Sequence, residues 1–421
     1  MKIAITGPLA DRNLGDYGMF INNLYDISPK NEFVVFSYNS SFVEQLKNDY
    51  LKEFSIDFVD VELSEKKKDD LDPIEQLKKL RRVLLGKEKS YYPTPLELLN
   101  RCTNISAIEK EIESSDVLLV SGGGYFNDLW FEWTRNDDLF RIIVPILIAA
   151  KMNKKIVFTA NGFGPFDSSK HFYEMIFAEA KDAIITSRDR KLSPTYLSDI
   201  GVKDITYLPD DLYIINDGIN PREQSKSSKY GKYVIFEQYG NINKFKENIE
   251  SIRTLVTFFK NKGINVVFLT FDVDEKTISY LKEEVKEDNF FIYDFETGYL
   301  KIDEAIELIK NSELVLCNRY HALVLSVTNQ IPVINVVKPV FDLRYYYNKN
   351  AGLLDNAFEG VYFNYNEYMQ ESLSGAIQYV IDNYEHIVSY QSSLYASSEF
   401  SSNKDKLADK RIEFFSTHFQ D

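Results

Sequence analysis

Cysteine is nearly absent from this chain. Cys102 and Cys317 are the only two in 421 residues. They lack the spacing of a metal-ligand set and are too few for a disulfide framework, so a reducing compartment is expected. Histidine is scarce too, with His171, His321, His386 and His418 as the full set of four. Long apolar runs are missing: the most apolar stretch, Ile142 to Ala150, is far too short to span a bilayer. The opening MKIAITGPLADRN holds no apolar signal-peptide core, and the expected location is the cytoplasm. Positive charge is in deficit. The formal net charge is -15, and a diffuse acidic field repels phosphate backbones, which argues against a DNA or RNA partner. It does not argue against small anions, because a local pocket of Arg and Lys reverses the field.

What is present reads as a soluble α/β protein. The hydrophobic fraction is 44% and the charged fraction 27%, which are ordinary globular values. The length exceeds what one hydrophobic core usually serves, so two domains are expected. Short apolar runs alternate with helix-period segments. Lys2–Thr6, Phe33–Ser37, Ile56–Val61, Val117–Ser121, Lys155–Ala160, Ala183–Ser187 and Ile205–Leu208 read as strands. After a polar break the rhythm restarts with Tyr233–Glu237, Asn265–Thr270, Phe290–Tyr293, Leu314–Cys317 and Pro332–Val336. Continuous apolar strands between helices imply parallel sheets covered on both faces. The expected fold class is α/β, with two Rossmann-like doubly wound domains facing a cleft. The first covers residues 1–216, a linker 217–232, and the second 233–421 with the C-terminal helices.

In such sheets ligands bind outside the carboxyl ends of the strands. Four segments there stand out. Asn13-Leu14-Gly15-Asp16 precedes a helix expected near Tyr17. Gly15 permits close backbone approach and the helix start favours an anion, while a turn glycine with Asp16 as a cap is the alternative. Ser121-Gly122-Gly123-Gly124 ends a buried strand. Its amides suit a carboxylate, phosphate or sugar oxygen, or else they form a tight turn. Tyr125, Phe126, Trp130 and Trp133 follow, as stacking surfaces or as ordinary core. Asn161-Gly162-Phe163-Gly164-Pro165 forms a third loop, with Asn161 and Gly164 as candidate contacts.

The fourth segment, Asn318-Arg319-Tyr320-His321-Ala322, is the sharpest signal. One of the few histidines sits two residues after an arginine, where a buried strand meets a helix. Arg319 offers a planar fork for carboxylate or phosphate, and His321 exchanges a proton near neutral pH. Arg188, in Ser187-Arg188-Asp189, either faces the cleft as well or pairs locally with Asp189 at a helix start.

Taken in order, these motifs resemble the polysaccharide pyruvyl transferase family. They are N-x-G-D, the glycine triplet, G-x-G-P, S-R-D with a helix running to Gly201-Val202, and R-x-H-A followed by Ile331-Pro332-Val333. The resemblance runs from about Lys2 to Val337. It implies a fold similar to GT-B glycosyltransferases. It also implies transfer of pyruvate from phosphoenolpyruvate, as donor substrate and without cofactor or metal, onto two hydroxyls of a sugar in a glycan or lipid-linked saccharide. By motif match Arg319 and His321 are the main site residues, with Asp16, Gly122 to Gly124 and Arg188 nearby.

The chain departs from the family pattern twice. Pro209-Asp210-Asp211 stands where members commonly show D-P, and Asn335-Val336-Val337-Lys338-Pro339 where they tend to show Y-D-P-K after I-P-V. Lys338 is the candidate cation of the second segment. The competing reading is a GT-B glycosyltransferase with a sugar-nucleotide donor, for which Glu359 and Glu367 provide an E-x7-E spacing. A catalytically silent glycan-binding subunit is disfavoured because Arg319 and His321 are both present. The segment 64–95 is rich in lysine and arginine, with Ile74, Leu77, Leu80 and Leu84 at helical spacing. It reads either as a surface helix packed on its domain or as a peripheral contact with an anionic inner membrane face.

Overall fold

The computed structural model describes residues 1–9, 12–64, 93–132, 136–219, 226–271, 275–294, 298–337 and 343–420. Most of the basic segment 64–95, Trp133, Lys338 and part of the expected linker lie outside the described residues.

The first half contributes β1 (Lys2–Thr6), β2 (Glu32–Ser37), β3 (Ser55–Asp60), β4 (Val117–Val120), β5 (Gly123–Phe126), β6 (Lys155–Phe158), β7 (Asn161–Phe163), β8 (Ile185–Ser187) and β9 (Ile205–Tyr207). The second contributes β10 (Tyr233–Glu237), β11 (Asn265–Phe268), β12 (Phe290–Ile292), β13 (Val315–Cys317), β14 (Val333–Val336) and β15 (Met369–Gln370). The sheets have the orders β3-β2-β1-β4-β6, β5-β7-β8-β9 and β12-β11-β10-β13-β14-β15. All named pairs are parallel. A single bridge, Val157 to Ile184, joins the small sheet to the first.

The strands that sit centrally are buried along their length, as in Val117–Val120 and Tyr233–Glu237. Helices cover both faces, and this accounts for the unbroken apolar runs in the sequence. Each doubly wound sheet reverses its strand order once. In the first the reversal lies between β1 and β4, and in the second between β10 and β13. Such points open a crevice at the carboxyl ends of the strands.

Two segments expected as loops are strands. Gly123 pairs with Asn161, and Phe126 with Phe163. The glycines allow this because other side chains lie on them: a Cβ at Gly123 would come 2.6 Å from the Tyr125 ring. The first helix, Leu14–Ile27, starts earlier than expected, because the Asn13 side chain accepts from the Gly15 amide and caps it.

The two halves share one apolar core. It runs from Leu14, Tyr17 and Leu24 to Tyr299, Ile302 and Leu323. Polar contacts tie the same surface. Tyr50 Oη donates to Asp303 Oδ1 at 2.7 Å and accepts from the Ile302 amide at 3.0 Å. The hydroxyl of Tyr17 donates to the Leu300 carbonyl, and that of Tyr299 to Asp49.

The tail forms helices Leu373–Tyr395 and Ser398–Phe419, both longer than the sequence pattern indicated. The last one returns to the first half, where it packs on helix Leu14–Ile27. Its Arg411 is 1% exposed. The guanidinium lies 2.7 Å from Asp26, from Asp211 and from Asn23 Oδ1. A buried cation holding two carboxylates makes this return specific, since any other seating would leave charges unpaired.

Candidate active site

The second half builds its part at the crevice between β10 and β13. β13 ends at Cys317, and Asn318 then grips the backbone of Tyr239. Its Oδ1 accepts from the Tyr239 amide at 2.8 Å, and its Nδ2 donates to the Tyr239 carbonyl at 2.7 Å. Arg319 is the N-cap of helix Tyr320–Thr328, but its side chain makes no capping bond. The buried carboxylate of Glu237 takes that role, accepting from the amides of Asn318 at 3.2 Å and Arg319 at 3.0 Å. The Arg319 guanidinium carbon lies 3.8 Å from the centre of the Tyr239 ring. Lys244 donates to Gln238 Oε1 beside it, and burial pulls its ammonium pKa down to about 8.

The first half meets this crevice with its own. Gly15, in the first turn after β1, lies directly against His321. A Cβ there would fall 1.7 Å from His321 Nδ1. The N-termini of the helices Leu14–Ile27 and Tyr320–Thr328 therefore converge on one point, where both favour negative charge. Arg188 follows β8 and is 4% exposed. Its Nη1 lies 3.1 Å from Asp210 Oδ2, and its guanidinium carbon 4.4 Å from the centre of the Tyr320 ring. Gly162 makes room for it, since a Cβ there would be 2.9 Å from Arg188 Nε. Lys349, from helix Leu343–Ala357, lies 4.8 Å from the same ring centre.

His321 is thus ringed by charge. Its side chain is 11% exposed; among the described residues its Nε2 has no hydrogen-bond partner, and Asp210 Oδ2 lies 3.8 Å from it. Burial, followed by Arg188, Lys349 and Arg319, holds its pKa well below the usual histidine value. The imidazole is neutral at pH 7, so it can accept a proton. Tyr320 is pushed the other way, by burial and then by the charge of Asp210. An anion placed among Arg188, Arg319 and Lys349 would meet both charge and a poised base.

The structure brings together Gly15, Arg188, Arg319 and His321 from the residues read in the sequence. Asp16 is buried in the same helix turn, and after burial its charge is the next cause that raises the pKa of Tyr125. The glycine triplet packs against its neighbours in the first half. The Gly122 amide donates to Asp211 Oδ2 at 3.2 Å, and a Cβ on it would lie 2.2 Å from that oxygen. Gly123 packs on Tyr125, and the Gly124 carbonyl accepts from Asn127. Asn161 is fully buried; its Nδ2 donates to Thr159 O at 2.9 Å and its carbonyl accepts from the Arg188 amide. Gly164, with φ +72°, packs on Tyr196. Tyr125, Phe126 and Trp130 are core. Asp189 caps helix Leu192–Asp199, accepting from the Leu192 amide at 2.7 Å. Glu359 pairs with Arg190, and Glu367 accepts from Tyr379 Oη.

Four residues of the site escaped the sequence reading: Asp210, Glu237, Tyr320 and Lys349. Asp210 lay in the segment noted as a departure, and Tyr320 sits between Arg319 and His321. Glu237 and Lys349 carry no local mark.

The polysaccharide pyruvyl transferase family model matches residues 23–337 of the chain. No curated protein matches it in sequence. Among solved structures, UDP-GlcNAc 2-epimerase from Neisseria meningitidis bound to UDP-GlcNAc superposes with a TM-score of 0.59 at 10% identity, over 98% of this chain and 100% of that one. The UDP-GlcNAc 2-epimerase from Methanocaldococcus jannaschii gives 0.54 at 12% identity, over 99% and 100%. Likeness at this identity establishes the fold, a GT-B-like pair of doubly wound domains, and nothing finer.

Proposed function

The chain belongs to the polysaccharide pyruvyl transferase family, and from that membership we propose that it moves pyruvate from phosphoenolpyruvate onto two hydroxyls of one sugar in a surface glycan or its precursor. The product is a cyclic ketal, and inorganic phosphate is released. The observation that carries this reading is the convergence of Arg188, Arg319 and Lys349 on a neutral His321 where the two strand crevices meet.

The donor has a carboxylate, a phosphate and an enol carbon–carbon double bond. Its methylene carbon must gain a proton, which leaves an electron-poor carbon carrying the phosphate oxygen. One sugar hydroxyl adds to that carbon and loses its proton. Phosphate then leaves with its bonding electron pair, and the second hydroxyl closes the ring and loses the other proton. One proton enters at the methylene and two leave from the hydroxyls, so the net proton goes to the phosphate or solvent. The arginine forks suit the donor's two anions, with Arg319 assigned to donor binding. His321, neutral at rest, is assigned to proton transfer at Nε2, which has no hydrogen-bond partner among the described residues. Anionic charge among the cations offsets them and raises the affinity of the imidazole for a proton.

The acceptor is proposed to be a glycan or lipid-linked saccharide. Among the described residues no helix is long and apolar enough to cross a membrane.

The test is a thermal-stability comparison of phosphoenolpyruvate with a panel of sugar nucleotides. A ligand that binds only the folded state raises the melting temperature. Stabilisation by phosphoenolpyruvate that is lost in Arg319→Ala is the expected result. Stabilisation by a sugar nucleotide alone would replace pyruvyl transfer with glycosyl transfer on the same fold.

A further inference from the structure

Asp210 stands at the junction of the two halves, in a segment where this sequence departs from its family's pattern. It is 2% exposed. Its Oδ1 accepts from the Leu212 amide at 3.0 Å, which fixes the carboxylate at the tip of the turn after β9. Its Oδ2 faces two groups, Arg188 Nη1 at 3.1 Å and His321 Nε2 at 3.8 Å, and the guanidinium it holds lies 4.4 Å from the centre of the Tyr320 ring. Arg188 belongs to the first half, whereas Tyr320 and His321 open a helix of the second. One carboxylate thus holds the cation of its own half over the aromatic ring of the other and stands beside the imidazole.

We propose that Asp210 is a positioning residue for this active site: it seats Arg188 across the domain junction and supplies the negative charge against which His321 takes up its proton. The proposal rests on the reading of His321 as the proton-transfer group.

The groups facing the imidazole divide by sign. Among the described residues, Arg188 comes from the first half, Arg319 and Tyr320 from its own helix start, and Lys349 from helix Leu343–Ala357; Gly15 lies against Nδ1. The three cations oppose protonation and Asp210 favours it. At 3.8 Å the carboxylate is beyond a hydrogen bond, so its action in the resting protein is through charge. Catalytic contacts of this kind commonly tighten when substrate binds.

The experiment is an NMR titration of the His321 ring in the full-length protein, where only four histidines contribute signals. In Asp210→Asn, which keeps the shape and the acceptor to Leu212, the His321 midpoint should fall by about one pH unit or more. Pyruvyl transfer should fall about 10- to 100-fold, with KM for phosphoenolpyruvate rising as Arg188 loses its seat. Arg188→Gln leaves the carboxylate and removes its cation, so there the midpoint should rise. This second variant keeps the test alive if Asp210→Asn does not fold. An unchanged midpoint in either folded variant overturns the proposal, and so does undiminished turnover in Asp210→Asn. The titration uses no substrate. Failure of phosphoenolpyruvate to bind the wild type would therefore sink the pyruvyl reading while the midpoints still decide the role of Asp210.

Discussion

Gly15 and His321 compete for one small volume: a Cβ on residue 15 would lie 1.7 Å from Nδ1 of the imidazole. The first turn of one domain is hollowed out to receive the proton-transfer group of the other. Gly15→Ala should therefore displace His321 rather than merely crowd it. Overpacking of this kind costs about 1–3 kcal/mol, and a misplacement near 1 Å lowers turnover about 100-fold. Denaturant unfolding and steady-state kinetics on the same preparation check both parts.

Arg319 sits over Tyr239, and only a planar cation can stack on a ring while offering two parallel donors. Arg319→Lys keeps the charge and loses the fork. We expect the affinity for phosphoenolpyruvate to fall about 10-fold or more, with little change in melting temperature without ligand. Calorimetric titration checks it, and wild-type affinity in the lysine variant would refute the assignment of Arg319 to the donor.

Acid should weaken the fold through His321. Its folded pKa is depressed, by burial first and then by Arg188, Lys349 and Arg319. Between the folded value and the ordinary value of about 6.5, the unfolded chain binds the extra proton. Stability is therefore full above about pH 6.5 and declines as the pH falls, by at most about 1.4 kcal/mol per pH unit from this group. His418 is depressed as well, by burial and Lys155, so the wild-type curve carries both. The part belonging to His321 is the difference between wild type and His321→Gln in melting temperature measured from pH 7.5 to 5.

Much of the fold was legible because strands buried on both faces must be apolar throughout. Lys2–Thr6 and Tyr233–Glu237 emerged with the bounds expected from their residues. The strands Gly123–Phe126 and Asn161–Phe163 did not, because glycine-rich stretches of three or four residues carry no apolar signature. Within the site, Arg319 and His321 were legible because histidine is rare here and stands at a strand end. Asp210 was hidden among 64 acidic residues. The use of Gly122 was hidden for another reason: its partner Asp211 lies 89 residues away.

Arg411 gives a prediction about stability alone. It is the buried partner of Asp26 and Asp211. Arg411→Met removes the cation and leaves both carboxylates, which should cost about 3–5 kcal/mol. Urea unfolding checks the loss. Adding Asp26→Asn and Asp211→Asn to the methionine variant should restore part of it, since the stranded charges are then gone.

The return of the last helix also sets how the two domains can move. The chain crosses between them twice, once before β10 and once where helix Ser398–Phe419 folds back onto helix Leu14–Ile27. A body attached to another at two separated points keeps one easy rotation, about the line through those points, and loses the others. Together with the shared apolar core, the two attachments hold the two crevices in one register. Gly15 is thereby kept against His321, with Asp210 beside the same imidazole.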